Sequence, residues 1–173
     1  YYQSIIIKKE IGDKRGVGYS YSRIGGVYFD TGDYNNSLDN YFKSLEIREE
    51  INDKLGMGFV LYGIGYIYMQ QGKFSKAKEY LEKSLSIQKE IGLGEGSLML
   101  ETTTYLYLTY KHLGKAYDVA EIHSLIKDTE NIEFELNLRL YELLEDTSYL
   151  ETAYSQIQEK ADNLEPDVKL KFL

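Results

Sequence analysis

"RIGGVYFDTGDY" (residues 23–34) and "GIGYIYMQQGKF" (residues 63–74) are near copies of one another, 40 residues apart. Both set glycines inside an apolar stretch with helical spacing, although glycine in a helix interior costs ~1 kcal/mol against alanine. At this offset Ile24 matches Ile64, Gly25 matches Gly65, Tyr28 matches Tyr68 and Gly32 matches Gly72. The agreement runs outward in both directions. Lys43-Ser44-Leu45 matches Lys83-Ser84-Leu85, and Ile47, Glu50 and Ile51 match Ile87, Glu90 and Ile91. Further back, Ser4, Ile5, Ile7, Glu10 and Ile11 answer Ser44, Leu45, Ile47, Glu50 and Ile51. A third copy follows at an offset of 42, where Tyr110, Gly114 and Lys115 answer Tyr68, Gly72 and Lys73. The two extra residues fall in the connection "GLGEGS" (92–97). Self-similarity at a period of this size is the signature of a stacked-repeat architecture.

Each unit reads as two helices. The first spans about Gly16 to Thr31 and the second about Tyr34 to Ile51. Tyr34, Leu38, Tyr41 and Leu45 keep the three-to-four spacing of one helical face. Gly32 and Gly72 stand where a first helix should stop, in the left-handed position that glycine adopts without steric cost. No sustained two-residue alternation argues for a strand, so the expected fold is all-α. The chain divides as a single repeat domain, 1–173. Residues 1–15 are the end of a partial repeat, and 16–55, 56–97 and 98–127 are repeats. Residues 128–173 hold a divergent helix pair (133–146 and 149–164, with Ala153 at a small position), then a last helix that Pro166 can open. Beginning at Tyr1, inside a repeat, the chain reads as a fragment.

Composition narrows the function. There is no cysteine, hence no disulfide framework and no thiolate metal site. No apolar run approaches the ~20 residues of a membrane span, and no signal peptide is visible, so the expected location is cytoplasmic. The net charge is −8. Residues 1–127 hold 16 acidic and 16 basic side chains, and residues 128–173 hold 12 and 4. Nothing here resembles the basic footprint of a nucleic-acid binder. An enzyme needs convergent acids, bases, nucleophiles or ligands, and the carboxylates are dispersed at helix-surface spacing. The only histidines are His112, at the end of a first helix, and His123, on the core face of a second. "GLGEGS" lacks the third glycine and the preceding strand of a phosphate loop. "NNS" (35–37) fits a glycosylation acceptor but falls in the first turn of a second helix. The reading is a non-enzyme with no cofactor and no metal.

The repeat resembles the tetratricopeptide repeat family. That family's pattern places an aliphatic then a small residue, a tyrosine three positions on, and a small and a large apolar residue in the second helix. Here these are Ile24-Gly25, Tyr28, Ser37 and Tyr41, then Ile64-Gly65, Tyr68, Ala77 and Leu81. The family's late proline is absent, and the period is similar to that of the long subclass found in kinesin light chains and bacterial regulatory proteins. A HEAT-like array has a comparable period, but the Gly-x-x-Tyr element argues against it.

The resemblance implies helix pairs stacked into a right-handed superhelical solenoid with a concave inner face. Carried over residue by residue, that face takes Tyr19, Ser22, Arg23, Gly26, Phe29 and Asp30 from the first complete unit. The second supplies Phe59, Tyr62, Gly63, Tyr66, Met69 and Gln70, and the third Glu101, Thr104, Tyr105, Leu108, Lys111 and His112. The expected groove is aromatic, with Arg23 and Lys111 as its cations. The places of a carboxylate-clamping lysine and asparagine hold Ser22, Gly26 and Gly63 instead. The implied function is a non-catalytic scaffold that binds a protein or peptide segment, contacting Tyr62, Tyr66 and Tyr105 above all, without nucleic acid or membrane. The alternative is a sensory or regulatory segment of a larger bacterial signalling protein with a cyclase, kinase or DNA-binding output. Gly25 and Gly65 are expected at helix crossings, Gly26 and Gly63 facing the open groove. Tyr107, at the third crossing position, should make its helices splay or shift.

Overall fold

The computed structural model describes residues 2–92 and 97–163, and among these every regular element is a helix. α1 (Tyr2–Glu10) is followed by two pairs of equal length: α2 (Lys14–Asp30) with α3 (Tyr34–Glu50), and α4 (Lys54–Gln70) with α5 (Phe74–Glu90). Then come α6 (Ser97–His112), α7 (Val119–Lys127), α8 (Phe134–Leu144) and α9 (Thr147–Asp162). Each helix packs chiefly on its chain neighbours, so the units stack as a solenoid, as the repeat predicts. The last helix expected at Pro166 lies outside the described residues, as does most of the 92–97 connection.

The punctuation between helices is as periodic as the helices. Gly12, Gly32, Gly72, Gly92 and Gly114 all sit at φ between 65° and 77°, and Asn52 takes the same role at 53°. Asp13, Asp33 and Asp53 follow directly and accept a hydrogen bond from the backbone N–H of Gly16, Asn36 and Gly56. A left-handed stop followed by an aspartate N-cap makes the turns before α2, α3 and α4 two-residue devices, whereas Lys73 follows Gly72 with no side-chain cap.

Gly25 and Gly65 stand at the helix crossings. A Cβ on Gly65 would lie 2.6 Å from Leu81 Cγ and 3.2 Å from the Leu81 backbone nitrogen, and one on Gly25 would lie 3.0 Å from the Tyr41 ring. The facing small residues, Ser37 and Ala77, are fully buried, and the Ser37 hydroxyl donates to the Gly25 carbonyl at 2.7 Å. One helical stretch away, Ser44 and Ser84 donate to the carbonyls of Gly18 and Gly58, again at 2.7 Å. Glycine on one helix and a small or hydroxylic residue on the other hold the pair together.

Gly26 and Gly63, expected to face an open groove, face the Tyr41 ring instead. A Cβ on Gly63 would meet the Tyr41 ring at 3.2–3.4 Å, and one on Gly26 its hydroxyl at 3.8 Å. Tyr41 reaches from α3 past Gly25 into the seam between α2 and α4. The next unit inverts this arrangement. Leu81 replaces Tyr41, and the repeat equivalents of Gly26 and Gly63 are Tyr66 and Tyr105, whose rings meet at 4.7 Å. One ring from the second helix is exchanged for two from first helices.

The third unit departs from the pattern of the first two at Tyr107. Its ring is buried at the crossing, near Tyr117 (5.4 Å) and Tyr110 (5.8 Å), and its hydroxyl donates to Glu121. The second helix begins only at Val119 and runs 9 residues, against 17 in α3 and α5. α8 then packs on α6, where Leu136, Leu140 and Leu143 join the main core with Leu100, Leu106 and Leu108. With α5 and α8 against it, α6 is buried all round from Thr102 to Thr109. His123 is exposed, not on the core face, because the shortened α7 turns Ile122 inward instead.

Gly65→Ala should destabilise by ~1–3 kcal/mol through overpacking against Leu81. Gly58→Ala, whose Cβ would meet only Gln88 at 3.6 Å and Ile87 at 3.9 Å, should gain up to ~1 kcal/mol of helix propensity. Gly63→Ala should fall between them, and urea unfolding of the three variants checks the order.

Candidate functional site

The exchange of rings decides where the inner face is open. Between α4 and α6 the seam is filled: Tyr62 and Tyr66 lie parallel at 6.1 Å, and both pack on Tyr105, at 6.0 and 4.7 Å. Between α2 and α4 the glycines leave room. A cavity of about 350 Å³ opens there over Tyr41 and Gly63, walled by Phe29, Phe59, Tyr62 and Tyr66. A second, of about 520 Å³, continues toward the N-terminus between Tyr19 and Arg15 on one side and Leu55 and Phe59 on the other. The two share Ser22, Arg23 and Phe59, so they form one groove along α2 and α4.

Periodic placement explains the walls. Arg15, Tyr19 and Arg23 are four residues apart along one face of α2, and Leu55 and Phe59 are four apart along α4. Tyr19, Leu55 and Phe59 keep 55%, 49% and 52% of their surface exposed. These are large apolar groups gathered in a concavity, which a solvated helix face does not require.

The floor is a buried ion pair. Arg48 Nη1 bonds Asp53 Oδ2, with 9% and 10% of the two side chains exposed. Its Nε donates to Ser44 Oγ at 3.1 Å, and Nη2 reaches Ser22 Oγ at 3.4 Å. Gly56 makes this possible, since a Cβ there would lie 1.4 Å from Nη1. The repeat equivalents are Lys8, donating to Ser20 Oγ (2.9 Å), and Gln88, donating to Thr102 Oγ1 (2.8 Å). Each unit junction thus has a polar clasp, charged at the first two and neutral at the third.

The large and charged residues among the eighteen expected on the inner face do not all reach one groove. Tyr19, Arg23, Phe29, Phe59, Tyr62 and Tyr66 come together on the open groove. Tyr105 and Leu108 are 5% and 2% exposed, closed over by α8, so they support the rings from beneath and meet no partner directly. Met69, Leu108 and His112 line a separate, smaller hollow of about 170 Å³ with Phe74, Arg139 and Glu142. His112 stacks on Phe74 at 4.3 Å, and Lys111 is engaged by Glu145 and the Glu142 carbonyl, each at 2.9 Å. Lys111 therefore meets its acidic group within the chain. Arg15, Leu55, Tyr41 and Arg48 were missed. The four-residue spacing of Arg15 with Tyr19 could have found the first, whereas Tyr41 and Arg48 belong to a second helix and reach the groove only through glycine gaps.

Burial shifts several groups at the filled end. Tyr62 donates to the Glu101 carboxylate, and its own ionisation is pushed far up, first by burial and then by that carboxylate. Glu101 is itself pushed up by burial, against the Tyr62 hydrogen bond. Burial also raises Tyr41. Among the described residues no group of three or more His, Cys, Asp or Glu side chains is placed to hold a metal ion, and no helix is long and apolar enough to cross a membrane.

The sequence model of the tetratricopeptide repeat family matches residues 17–90, the span of α2 to α5 that carries the groove. Comparison with curated proteins gives no match. Repeats of this family are generally protein-interaction scaffolds.

Because Glu101 binds its proton more tightly folded than unfolded, the folded state holds more protons than the unfolded one between the two ionisations, and stability falls as pH rises through that window. Glu101→Gln, which keeps an acceptor for Tyr62, should raise the melting temperature at neutral pH. The gain should vanish below the ordinary glutamate range of ~4.3. Paired melts at acidic and neutral pH measure it.

Proposed function

We propose that the groove between α2 and α4 binds a segment of another protein and that the chain acts as a non-catalytic scaffold. The observation that carries this reading is the gathering of Tyr19, Leu55 and Phe59, each about half exposed, along one concavity over the buried Arg48–Asp53 pair. Aromatic and arginine side chains in such settings are the usual anchors of binding interfaces. The family match over residues 17–90 supports it, because the matched span and the groove coincide. The period of 40 favours the long form of the repeat. The centre of binding lies one unit earlier than the sequence suggests: Phe59, Tyr62 and Tyr66 form the far wall, and Tyr105 backs them.

A photoreactive phenylalanine analogue at position 59 should cross-link the partner and identify it. With the partner in hand, Phe59→Ala should weaken binding by ~2 kcal/mol or more, about thirtyfold. Lys83→Ala, on the exposed outer face of α5, should leave affinity unchanged. Loss on Lys83→Ala alone would move the site to the convex surface. Circular dichroism of each variant checks that the fold is kept.

A further inference from the structure

We propose that α8 and α9 form a displaceable cover over the inner face of the third unit. Its contacts identify it independently of the groove proposed above. In the second unit the inner positions stay partly open: Phe59 keeps 52% of its surface exposed, and Tyr62, Tyr66 and Met69 are half-buried. Their repeat equivalents are Glu101, Thr104, Leu108 and Lys111. There Thr104 is fully buried, Leu108 is 2% exposed and the neighbouring Tyr105 5%. What closes over Tyr105 and Leu108 is α8. Its Leu136, Leu140 and Leu143 stand at i, i+4 and i+7 on one face and join the core with them. Arg139 of α8 donates to the Tyr105 hydroxyl, and Lys111 donates to the Glu142 carbonyl and to the Glu145 carboxylate.

The contacts divide so that the pair can leave as one body. α9 packs chiefly on α8, and α8 reaches the array chiefly through α6. Regular stacking would set α8 against the second helix before it, as α4 lies on α3 and α6 on α5, but α8 does not rest on α7 in this way. Within the pair, Gln156 donates to the Ile132 carbonyl at 2.7 Å, Asn137 to Gln156 at 3.1 Å and Lys160 to Glu133 at 3.2 Å. The polar ties to the array gather on residues 139–145, where the Leu143 carbonyl also accepts from the Tyr117 hydroxyl at 3.4 Å. The connection from α7 is six residues, 128–133, against three at 31–33 and 71–73. It holds no regular element and carries Asn131 at φ 55°. A helix pair with its own hydrogen bonds, one docking face and a long connection can open while its neighbours stay folded. Opening would uncover Tyr105 and Leu108 and carry the open inner face from α4 on to α6.

The test uses the whole chain, which has no cysteine, so a single introduced thiol reports on its own site. Leu108→Cys places it beneath the cover, and Ile64→Cys, fully buried in α4, is the control. In native buffer a maleimide should label the thiol at 108 about tenfold faster than the thiol at 64, or more. The rate at 108 should depend weakly on urea, since opening the cover exposes far less surface than global unfolding. Adding Lys111→Ala, which removes two ties to α8, should speed labelling at 108 by about threefold and leave labelling at 64 unchanged. Hydrogen exchange of the unsubstituted chain reads the same opening without any variant: α8 and α9 should exchange together while α6 and α7 stay protected. Equal labelling of the two thiols, a urea dependence at 108 as steep as that of global unfolding, or indifference to Lys111→Ala would each overturn the proposal. Exchange of α7 along with α8 and α9 would overturn it too, by showing an array that frays from its end.

Discussion

The close approach of the two helices within each unit governs everything built on top of it. At Gly25 and Gly65 there is no room for a methyl group without movement of Tyr41 or Leu81, and the facing Ser37 and Ala77 are fully buried. Four glycines in each of α2 and α4 forfeit helix propensity of ~1 kcal/mol each in the helix interior. What offsets it is contact: the serine hydroxyls at 37, 44 and 84 donate at 2.7 Å to carbonyls of the opposite helix. Such a bond adds a second partner to a carbonyl already in its own ladder and gives each of these three serine hydroxyls an acceptor.

With the pair spacing fixed, volume has to be conserved in the seams between units. Tyr41 fills the first seam from the second helix, and glycines at 26 and 63 yield to it. Tyr66 and Tyr105 fill the next seam from first helices, and Leu81 yields to them. A ring delivered from below leaves the surface above it concave. Rings delivered from the inner face close that surface. The groove lies over the first seam for this reason, and α8 finishes the closure of the second by packing on α6.

Charge follows the same architecture. The junction clasp is Lys8, then Arg48, then Gln88, and at the first two Gly16 and Gly56 leave space for it. A buried arginine that lost Asp53 would remain as an unpaired charge. The pair stays buried and neutral beneath the groove. The surplus acid lies at the other end, in residues 128–173, where part of it is used internally: Glu145 holds Lys111.

The sequence by itself determined the period and, for the first complete unit and the divergent pair, the helix boundaries to within two residues. Each of these is written in local chemistry: glycine at positive φ, aspartate caps, and three-to-four apolar spacing. It also determined which glycines stand at crossings, because identical residues recurred opposite small partners. Only the tertiary structure decided that the inner face is open at α2–α4 and filled at α4–α6. That outcome depends on a ring from α3 passing through gaps in two other helices, and no single helix's pattern contains it. The same holds for Tyr105 and Leu108, which carry groove positions in sequence and are covered by α8. Periodicity fixes the direction in which a side chain leaves its helix. Whether solvent or another helix meets it there is settled by how volumes from separate units add up.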